Sequence, residues 1–224
     1  MLKNLDTVAS VLRPPPDTIL AVPSSSVARP SSFKKLKVAY TFCGDENISR
    51  GIPALLRNLG HTVMTADRRN GIDLDDDSEW ANIMEFIKTA DFILLSPPCG
   101  TFSPSRRHHP GPKALRSSSE PYGLKAPPVP FTSAEKLQLQ LGTMNAIKSC
   151  LAARGAVASR CGFALEYPSL IFDGQASLCQ LQEALDLDKI QGVFDWSTDQ
   201  CRYGPESRKP TTFKVFSNGD KENG

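Results

Sequence analysis

Residues 37–66 contain a strand, a helix and a second strand in close succession, and this unit constrains the fold more than any other feature. The first strand is predicted over 37–42, and apolar residues at helical spacing predict a helix over 48–59. A second strand is predicted over 61–66, directly after Gly60. Because a strand, a crossover helix and a strand form a βαβ unit, the two strands should be parallel.

The same alternation continues along the chain. Further helices are predicted over 78–88, 133–153 and 175–185, and further strands over 91–95, 163–166, 193–196 and 213–216. This order predicts an α/β fold with a Rossmann-like, doubly wound and mostly parallel sheet, in one domain over residues 35–218. Residues 1–34 are rich in proline and serine and predict an extended or disordered lead, and residues 219–224 form a tail.

Composition indicates the compartment and the kind of substrate to expect. The six cysteines are scattered without a CxxC pair, which indicates neither a zinc site nor a disulfide framework and favours an intracellular, reducing compartment, the nucleus or the cytoplasm. No run approaches the roughly 20 apolar residues of a membrane span. The net charge of +2 is small, but basic residues cluster in the loop over 106–116 and suit a phosphate-bearing substrate.

A cysteine follows one predicted strand on a stiff turn. Ser96, Pro97, Pro98 and Cys99 come directly after the apolar run 91–95, and the two prolines end that strand. Ligands of open α/β sheets bind at the carboxyl ends of the strands. The Cys99 thiol is therefore either a nucleophile or a small buried side chain. Glu166 closes another predicted strand, so it should reach the same edge.

Three segments together resemble the cytosine-C5 methyltransferase family. The Pro-Pro-Cys turn followed by Phe102 and Ser103 resembles the nucleophile loop of that family, and Glu166 with Tyr167 and Pro168 is similar to its Glu-Asn-Val motif. Residues 200–211 resemble its Tyr-Gly-x-Pro-Gln-x-Arg segment. The resemblance makes Cys99 and Glu166 catalytic, with Arg208 as the first choice and Arg202 as the second for the arginine that binds the base and a nearby phosphate.

The resemblance also implies a methyltransferase fold that binds S-adenosylmethionine. The turn at Phe42 and Gly44 is similar to the Phe-x-Gly-x-Gly turn of the family, although Asp45 and Glu46 replace its second half. Asp67 should hold the ribose hydroxyls, Asp73 should accept from the adenine amino group, and Pro97 completes the cofactor site. The implied partner is nucleic acid, with DNA as the first candidate and RNA as the second. A partner chain that supplies sequence recognition is a further expectation. No metal is implied.

The chemistry needs a thiol and a carboxyl together. Carbon 5 of cytosine is a poor nucleophile until a thiolate adds to carbon 6 and turns the ring into an enamine. An acid near N3 assists that addition, and a partly apolar pocket suits it because burial raises the pKa of a carboxyl.

Other functions remain open at this level. A tRNA cytosine-C5 methyltransferase would carry the same cysteine loop, and a module that has lost catalysis could bind nucleic acid or a partner. An adenine-amino methyltransferase matches Ser96-Pro97-Pro98, but Cys99 stands where an aromatic residue would stack on the base.

Overall fold

The computed structural model describes residues 34–49, 51–107, 111–199 and 209–217, and the elements below lie in those ranges. The strands are β1 (Lys37–Thr41), β2 (Thr62–Ala66), β3 (Phe92–Leu95), β4 (Gly162–Pro168), β5 (Val193–Asp199) and β6 (Pro210–Phe216). The helices are α1 (Ile52–Asn58), α2 (Asp77–Ile87), α3 (Ser133–Ala158) and α4 (Gln182–Asp188). The predicted lead over 1–34 lies outside these ranges except for its last residue, and the tail lies outside them entirely.

The six strands form one mixed sheet in the order β2-β1-β3-β4-β6-β5. Strands β2, β1, β3 and β4 are parallel to one another, whereas β6 is antiparallel to both β4 and β5. The prediction of an α/β fold with a mostly parallel sheet is confirmed, and the sheet is compatible with a Rossmann-like fold. Because β2 and β3 lie on opposite sides of β1, the strand order reverses between β1 and β3, where such sheets bind ligands.

Helix α1 differs from its prediction in length and in burial. It begins at Ile52 and not at Ile48, because Gly51 is its N-cap and a proline occupies its first turn. Ile48, Leu55 and Leu59 are exposed, Ile48 at 55%. The apolar spacing therefore predicted a helix here but not which of its faces is buried. Strand β2, against which α1 packs, lies at the edge of the sheet.

Side-chain caps fix the starts of two helices. The Asp76 carboxylate accepts from the backbone N–H groups of Ser78 and Glu79 at the start of α2. Helix α3 is capped by Thr132, and Glu135 completes a capping box with it. The helix predicted over 175–185 is replaced by a single 3-10 turn followed by α4.

The core lies between the sheet and the long helix α3. Alanines on the inner face of α3 are almost fully buried, which lets the helix approach the sheet closely, and they include Ala146, Ala152, Ala153 and Ala156. Lys214 of β6 is fully buried and forms ion pairs with Asp188 and Asp195. The pair with Asp188 ties the antiparallel end of the sheet to α4, and the pair with Asp195 joins β6 to β5. Within the described ranges, no helix has the length and apolarity that crossing a membrane requires.

Candidate functional site

The carboxyl ends of β3 and β4 place the two predicted catalytic segments side by side. Leu95 is paired with Leu165 in the parallel register, so the next residues, Ser96 and Glu166, are neighbours across the strands. The Ser96 hydroxyl donates to Oε2 of Glu166 at 2.8 Å. Cys99 follows three residues after Ser96 and lines the same cavity as Glu166. The register therefore brings the predicted thiol and the predicted carboxyl to one site.

Lys209 is a third charged residue at this site. Its ammonium group lies 3.2 Å from Oε1 of Glu166, so both carboxylate oxygens of Glu166 have a partner. The Glu166 side chain is only 18% exposed, whereas that of Lys209 is about half exposed. Because the Lys209 side chain is not enclosed by other residues, it can turn toward solvent or toward an anion, and its movement does not leave an empty space in the core.

Burial sets the protonation of the thiol. It raises the pKa of Cys99; the Lys209 ammonium opposes that rise and the Glu166 carboxylate adds to it. Tyr40 lies on the far side of Ser96, with its hydroxyl 3.4 Å from the Ser96 hydroxyl, and burial raises the pKa of Tyr40 to about 12. Cys99 and Tyr40 are thus both protonated in the resting protein at neutral pH.

These residues line a cavity of about 270 Å³, called here the cysteine chamber. Its polar wall comes from Ser96, Cys99, Glu166 and Lys209, and its apolar wall includes Pro97 and Pro168. A nucleophile, a carboxyl and a cation therefore converge on one small volume.

A second cavity of about 450 Å³, the larger chamber, adjoins the first. Its volume is within the usual range of small-molecule sites. The acidic side chains in its lining are Asp67, Asp73 and Asp75, and the apolar part comes from the loop around Leu74 and from α3 at Leu141 and Gly142. The two chambers share Phe42 and Pro98.

Phe42 has an unusual backbone at this shared wall. Its φ is 56°, in the left-handed region that bulky residues rarely occupy. Its N–H donates to the carbonyl of Ala66 at 2.7 Å, which holds the turn after β1 against the end of β2. Such strain is found at functional sites, and here it directs the residue to the boundary between the chambers.

The predicted cofactor residues divide between the two chambers. Asp67 lines the larger chamber, where its carboxylate accepts from the backbone N–H groups of Gly44 and Arg69. Asp73 lines it as well, but it forms an ion pair with Arg68 and its side chain is half exposed. Gly44 and Pro97, in contrast, line the cysteine chamber and not the larger one.

The acidic residues that replace the second half of the glycine turn do not line either chamber. Glu46 forms an ion pair with Arg57 at 2.6 Å and accepts from Thr65, so it ties α1 to β2. Asn47 donates to Asp45 within the turn. Their carboxylates therefore leave both cavities free.

The basic side chains that the structure describes in the loop over 106–116 bind other protein groups. Arg116 is only 2% exposed and donates to Thr101, Pro121, Leu139 and Thr143. The Arg116 guanidinium also lies over the Phe102 ring, 4.0 Å from the ring centroid, and burial lowers the pKa of Arg116 to about 10. This side chain fastens the segment after Cys99 to α3.

The other two basic side chains described in this loop also bind protein groups. Arg106 donates to the carbonyls of Gly100 and Lys113 and to Gln138. Lys113 pairs with Glu135 at 2.9 Å. These contacts use the charges to order the described part of the loop, and the phosphate-bearing substrate stays a prediction.

Arg208 and Arg202 lie outside the described residues. The cation that the structure places beside Glu166 is Lys209, which directly follows Arg208 in the segment that the family resemblance identified. Sequence reasoning also missed Ser96, Tyr40 and Asn145. Two of them left a signal in the sequence. Ser96 directly follows a predicted strand, and Asn145 is a polar residue among the apolar positions of a predicted helix.

No protein-family model, no curated protein and no solved structure matches this chain. The assignment of function therefore depends on the geometry of the two chambers and on the sequence motifs that line them.

Proposed function

We propose that the protein is a methyltransferase-fold enzyme that transfers the methyl group of S-adenosylmethionine to carbon 5 of cytosine in nucleic acid, with DNA as the first candidate substrate. The observation that carries the proposal is the convergence of Cys99 and Glu166 in one chamber that adjoins a second chamber of cofactor size. A two-substrate transfer needs this arrangement, because the donor and the acceptor must meet at a shared boundary.

Cys99 acts as the nucleophile. Its thiolate adds to carbon 6 of the base, so a sulfur–carbon bond forms and the electron pair of the 5,6 double bond moves into the ring. Glu166 in its acid form holds a proton at N3 and neutralises the charge that develops there. Carbon 5 becomes an enamine carbon, to which bound S-adenosylmethionine would supply its methyl group, with S-adenosylhomocysteine as the leaving group. Loss of the proton from carbon 5 to water, with return of the N3 proton to Glu166, then expels the Cys99 thiolate and restores the aromatic ring.

Lys209 links substrate binding to this chemistry. In the free protein it pairs with Oε1 of Glu166. A phosphate of the substrate can bind the half-exposed Lys209 ammonium in place of Glu166. When the ammonium leaves Glu166 for the phosphate, Oε1 can face the base. The same cation, near Cys99, favours the thiolate over the thiol.

The residues of the larger chamber fit S-adenosylmethionine. Asp67 lines the chamber and can accept ribose hydroxyls on its remaining lone pairs, and the apolar lining around Leu74 and Leu141 suits a purine. When bound, the cofactor supplies an electrophilic methyl group on a sulfonium centre. Phe42 and Pro98, which face both chambers, are placed to exclude water from the transfer path.

The cysteine chamber limits the form of the substrate. A base stacked inside a duplex cannot reach a thiol within a cavity, so the cytosine must be flipped out or already single-stranded. We therefore expect single-stranded or mismatched cytosine to be a better substrate than paired cytosine for this chain on its own.

The test combines a product assay with a covalent trap. Incubation with methyl-labelled S-adenosylmethionine and cytosine-containing DNA or RNA should give 5-methylcytosine on nucleoside analysis. An oligonucleotide with 5-fluorocytosine should form an adduct that is stable to denaturation and maps to Cys99, because fluorine at carbon 5 blocks the final elimination. Methylation at an amino group, or an active protein that gives no adduct, would contradict the thiol mechanism.

A catalytically lapsed module is the second candidate, and one observation favours it. Both oxygens of Glu166 are engaged by Ser96 and Lys209, and Cys99 is a buried neutral thiol in the resting protein. Such a module would still bind nucleic acid. It would give no 5-methylcytosine with any substrate tested, and its cysteine would not be trapped.

A further inference from the structure

Two large apolar side chains are exposed in the loop that follows β4. Leu170 is 51% exposed and Ile171 is 49% exposed. Pro168, the last residue of β4, lines the cysteine chamber. Leu170 and Ile171, called here the rim pair, therefore belong to the carboxyl edge of the sheet, at which the cysteine chamber lies.

The loop that carries the rim pair is held in place by a buried glutamine. Gln175 is only 2% exposed. Its amide nitrogen donates to the carbonyl of Ser169 at 3.1 Å, and its Oε1 accepts from the N–H of Ile171 at 3.0 Å. One side chain thus fixes the backbone on both sides of Leu170. A ligand that covers the rim pair would consequently not have to order this backbone first.

The rim pair is joined to the segment that carries Lys209. The N–H of Ser169 donates to the carbonyl of Pro210 at 3.1 Å, and the Ser169 hydroxyl lies 2.7 Å from that of Thr212. Lys209 directly precedes Pro210, and its half-exposed ammonium is the cation of the cysteine chamber. An exposed cation and an exposed apolar pair therefore lie on two connected segments beside one chamber.

A nucleic-acid strand matches this combination of groups. Its phosphates pair with cations, and the faces of its bases are apolar. Proteins that unstack bases place leucine or isoleucine against the faces that unstacking exposes. A strand whose cytosine leaves the stack to enter the chamber exposes the face of the neighbouring base. An apolar contact on that face would offset part of the lost stacking.

We propose that the rim pair packs against the base next to the target cytosine while Lys209 binds a phosphate of the same strand. This inference rests on the proposed function for the class of substrate, and it adds the surface that holds the strand outside the cysteine chamber. An apolar contact reads no hydrogen-bond pattern, so this surface accepts any neighbouring base.

Trapping by a short single-stranded DNA with one 5-fluorocytosine tests the contact on the full chain in the presence of S-adenosylmethionine. The concentration dependence of the trapping rate gives an apparent affinity with the cytosine in the chamber. Leu170→Asn and Ile171→Asn should each weaken that affinity by about 3- to 10-fold, because half of each apolar side chain remains to be buried. Leu151→Asn, at a 50% exposed position of α3 that lines neither chamber, is the matched control and should not change it.

An abasic site next to the fluorocytosine removes the base that the rim pair contacts. On one side of the cytosine this change should weaken trapping of the wild type by a similar factor. The rim variants should then show no further loss with that DNA. The wild-type comparison does not depend on how the variants fold.

Salt separates the apolar contact from the phosphate contact. The loss in the rim variants should be the same at low and at high salt, because an apolar contact releases no counterions. Lys209→Met should instead make the affinity less dependent on salt. A loss in the rim variants that disappears at high salt would contradict an apolar contact.

The remaining outcomes distinguish this inference from the proposed function. If an abasic site on either side leaves wild-type trapping unchanged, or the rim variants are trapped as well as the wild type, the inference is wrong and the proposed function stands. Rim variants that are trapped normally but no longer self-associate in sedimentation would assign the pair to a contact between copies of the chain. If the wild type is not trapped at all, the proposed function and this inference both fall.

Discussion

The two chambers differ in how their polar atoms are satisfied. In the cysteine chamber Ser96, Glu166 and Lys209 are paired with one another. In the larger chamber the Asp67 carboxylate accepts from the backbone N–H groups of Gly44 and Arg69. A substrate that enters the first must exchange contacts between side chains, whereas a ligand in the second can bond to the remaining lone pairs of Asp67 while those backbone contacts stay in place. We therefore expect affinity to come from the larger chamber and selectivity for a reactive substrate to come from the cysteine chamber.

Cys99→Ser should give the largest difference between the two chambers, because it should affect methyl transfer and leave cofactor affinity unchanged. It should abolish methyl transfer and trapping, because a serine hydroxyl is a far weaker nucleophile than a thiolate. Affinity for S-adenosylhomocysteine should not change, since Cys99 does not line the larger chamber. The matched control is Cys43→Ser, which alters a cysteine of the same chamber without a proposed role. Retained turnover in Cys99→Ser would require another nucleophile.

Glu166→Gln should lower the rate of methyl transfer by about 10²- to 10⁴-fold, the usual range for a general acid. The amide keeps the shape of the side chain but cannot hold the proton at N3. Single-turnover rates measure the effect, with affinity for S-adenosylhomocysteine measured in parallel. Glu46→Gln, which changes a carboxylate that lines neither chamber, serves as the control. Equal rates in the two variants would remove Glu166 from the mechanism.

Arg116→Lys should destabilise the fold and loosen both chambers at once. The ammonium group cannot reach all four acceptors of the guanidinium, and each buried acceptor left unpaired costs about 1–3 kcal/mol of unfolding free energy. Denaturant titration measures the loss. Arg57→Lys, at a partly exposed ion pair, should cost less than about 1 kcal/mol. A similar loss in both variants would contradict the fastening role of Arg116.

The pH dependence of the thiol gives the smallest expected effect. Because burial raises the pKa of Cys99 above its ordinary value of 9.0, the thiolate fraction should still be rising at pH 9. Alkylation of Cys99 by iodoacetamide, followed by mass spectrometry, should therefore accelerate across pH 7–9 without a plateau.

Lys209→Met sharpens that measurement. It removes the cation that opposes the raised pKa of Cys99, so the alkylation profile should move to higher pH and the rate at a fixed pH should fall. The shift should be modest because Lys209 is half exposed and water screens its charge. Lys113→Met, which removes a cation paired with Glu135, should leave the profile in place. A shift to lower pH in Lys209→Met would reverse the assigned sign.

Several parts of the fold could be predicted from local pattern. The order of strands and helices followed from apolar spacing, and the parallel pairing of β1 and β2 followed from the helix between them. The meeting of Cys99 and Glu166 at one edge followed in outline, since both segments close strands of a parallel sheet. The placement of β6 between β4 and β5 did not follow, because antiparallel pairing at that end depends on which edge the final strand can reach.

Burial was less predictable than secondary structure. The apolar row of α1 and the basic residues of the loop over 106–116 have ordinary patterns, yet Ile48, Leu55 and Leu59 are exposed and Arg116 is enclosed. A side chain is buried only where another element covers it. The chain near Arg116 folds back on α3, whereas α1 packs on an edge strand.

By itself the sequence determined the succession of strands and helices and the residue types after β3 and β4, because local spacing and prolines act over a few neighbours. Only the tertiary structure decided that Lys209 meets Glu166, that Phe42 and Pro98 are shared by two cavities, and that Arg116 fastens its loop to α3. These relations join segments far apart in the chain, and they exist only once the sheet has fixed the distances between its strand ends.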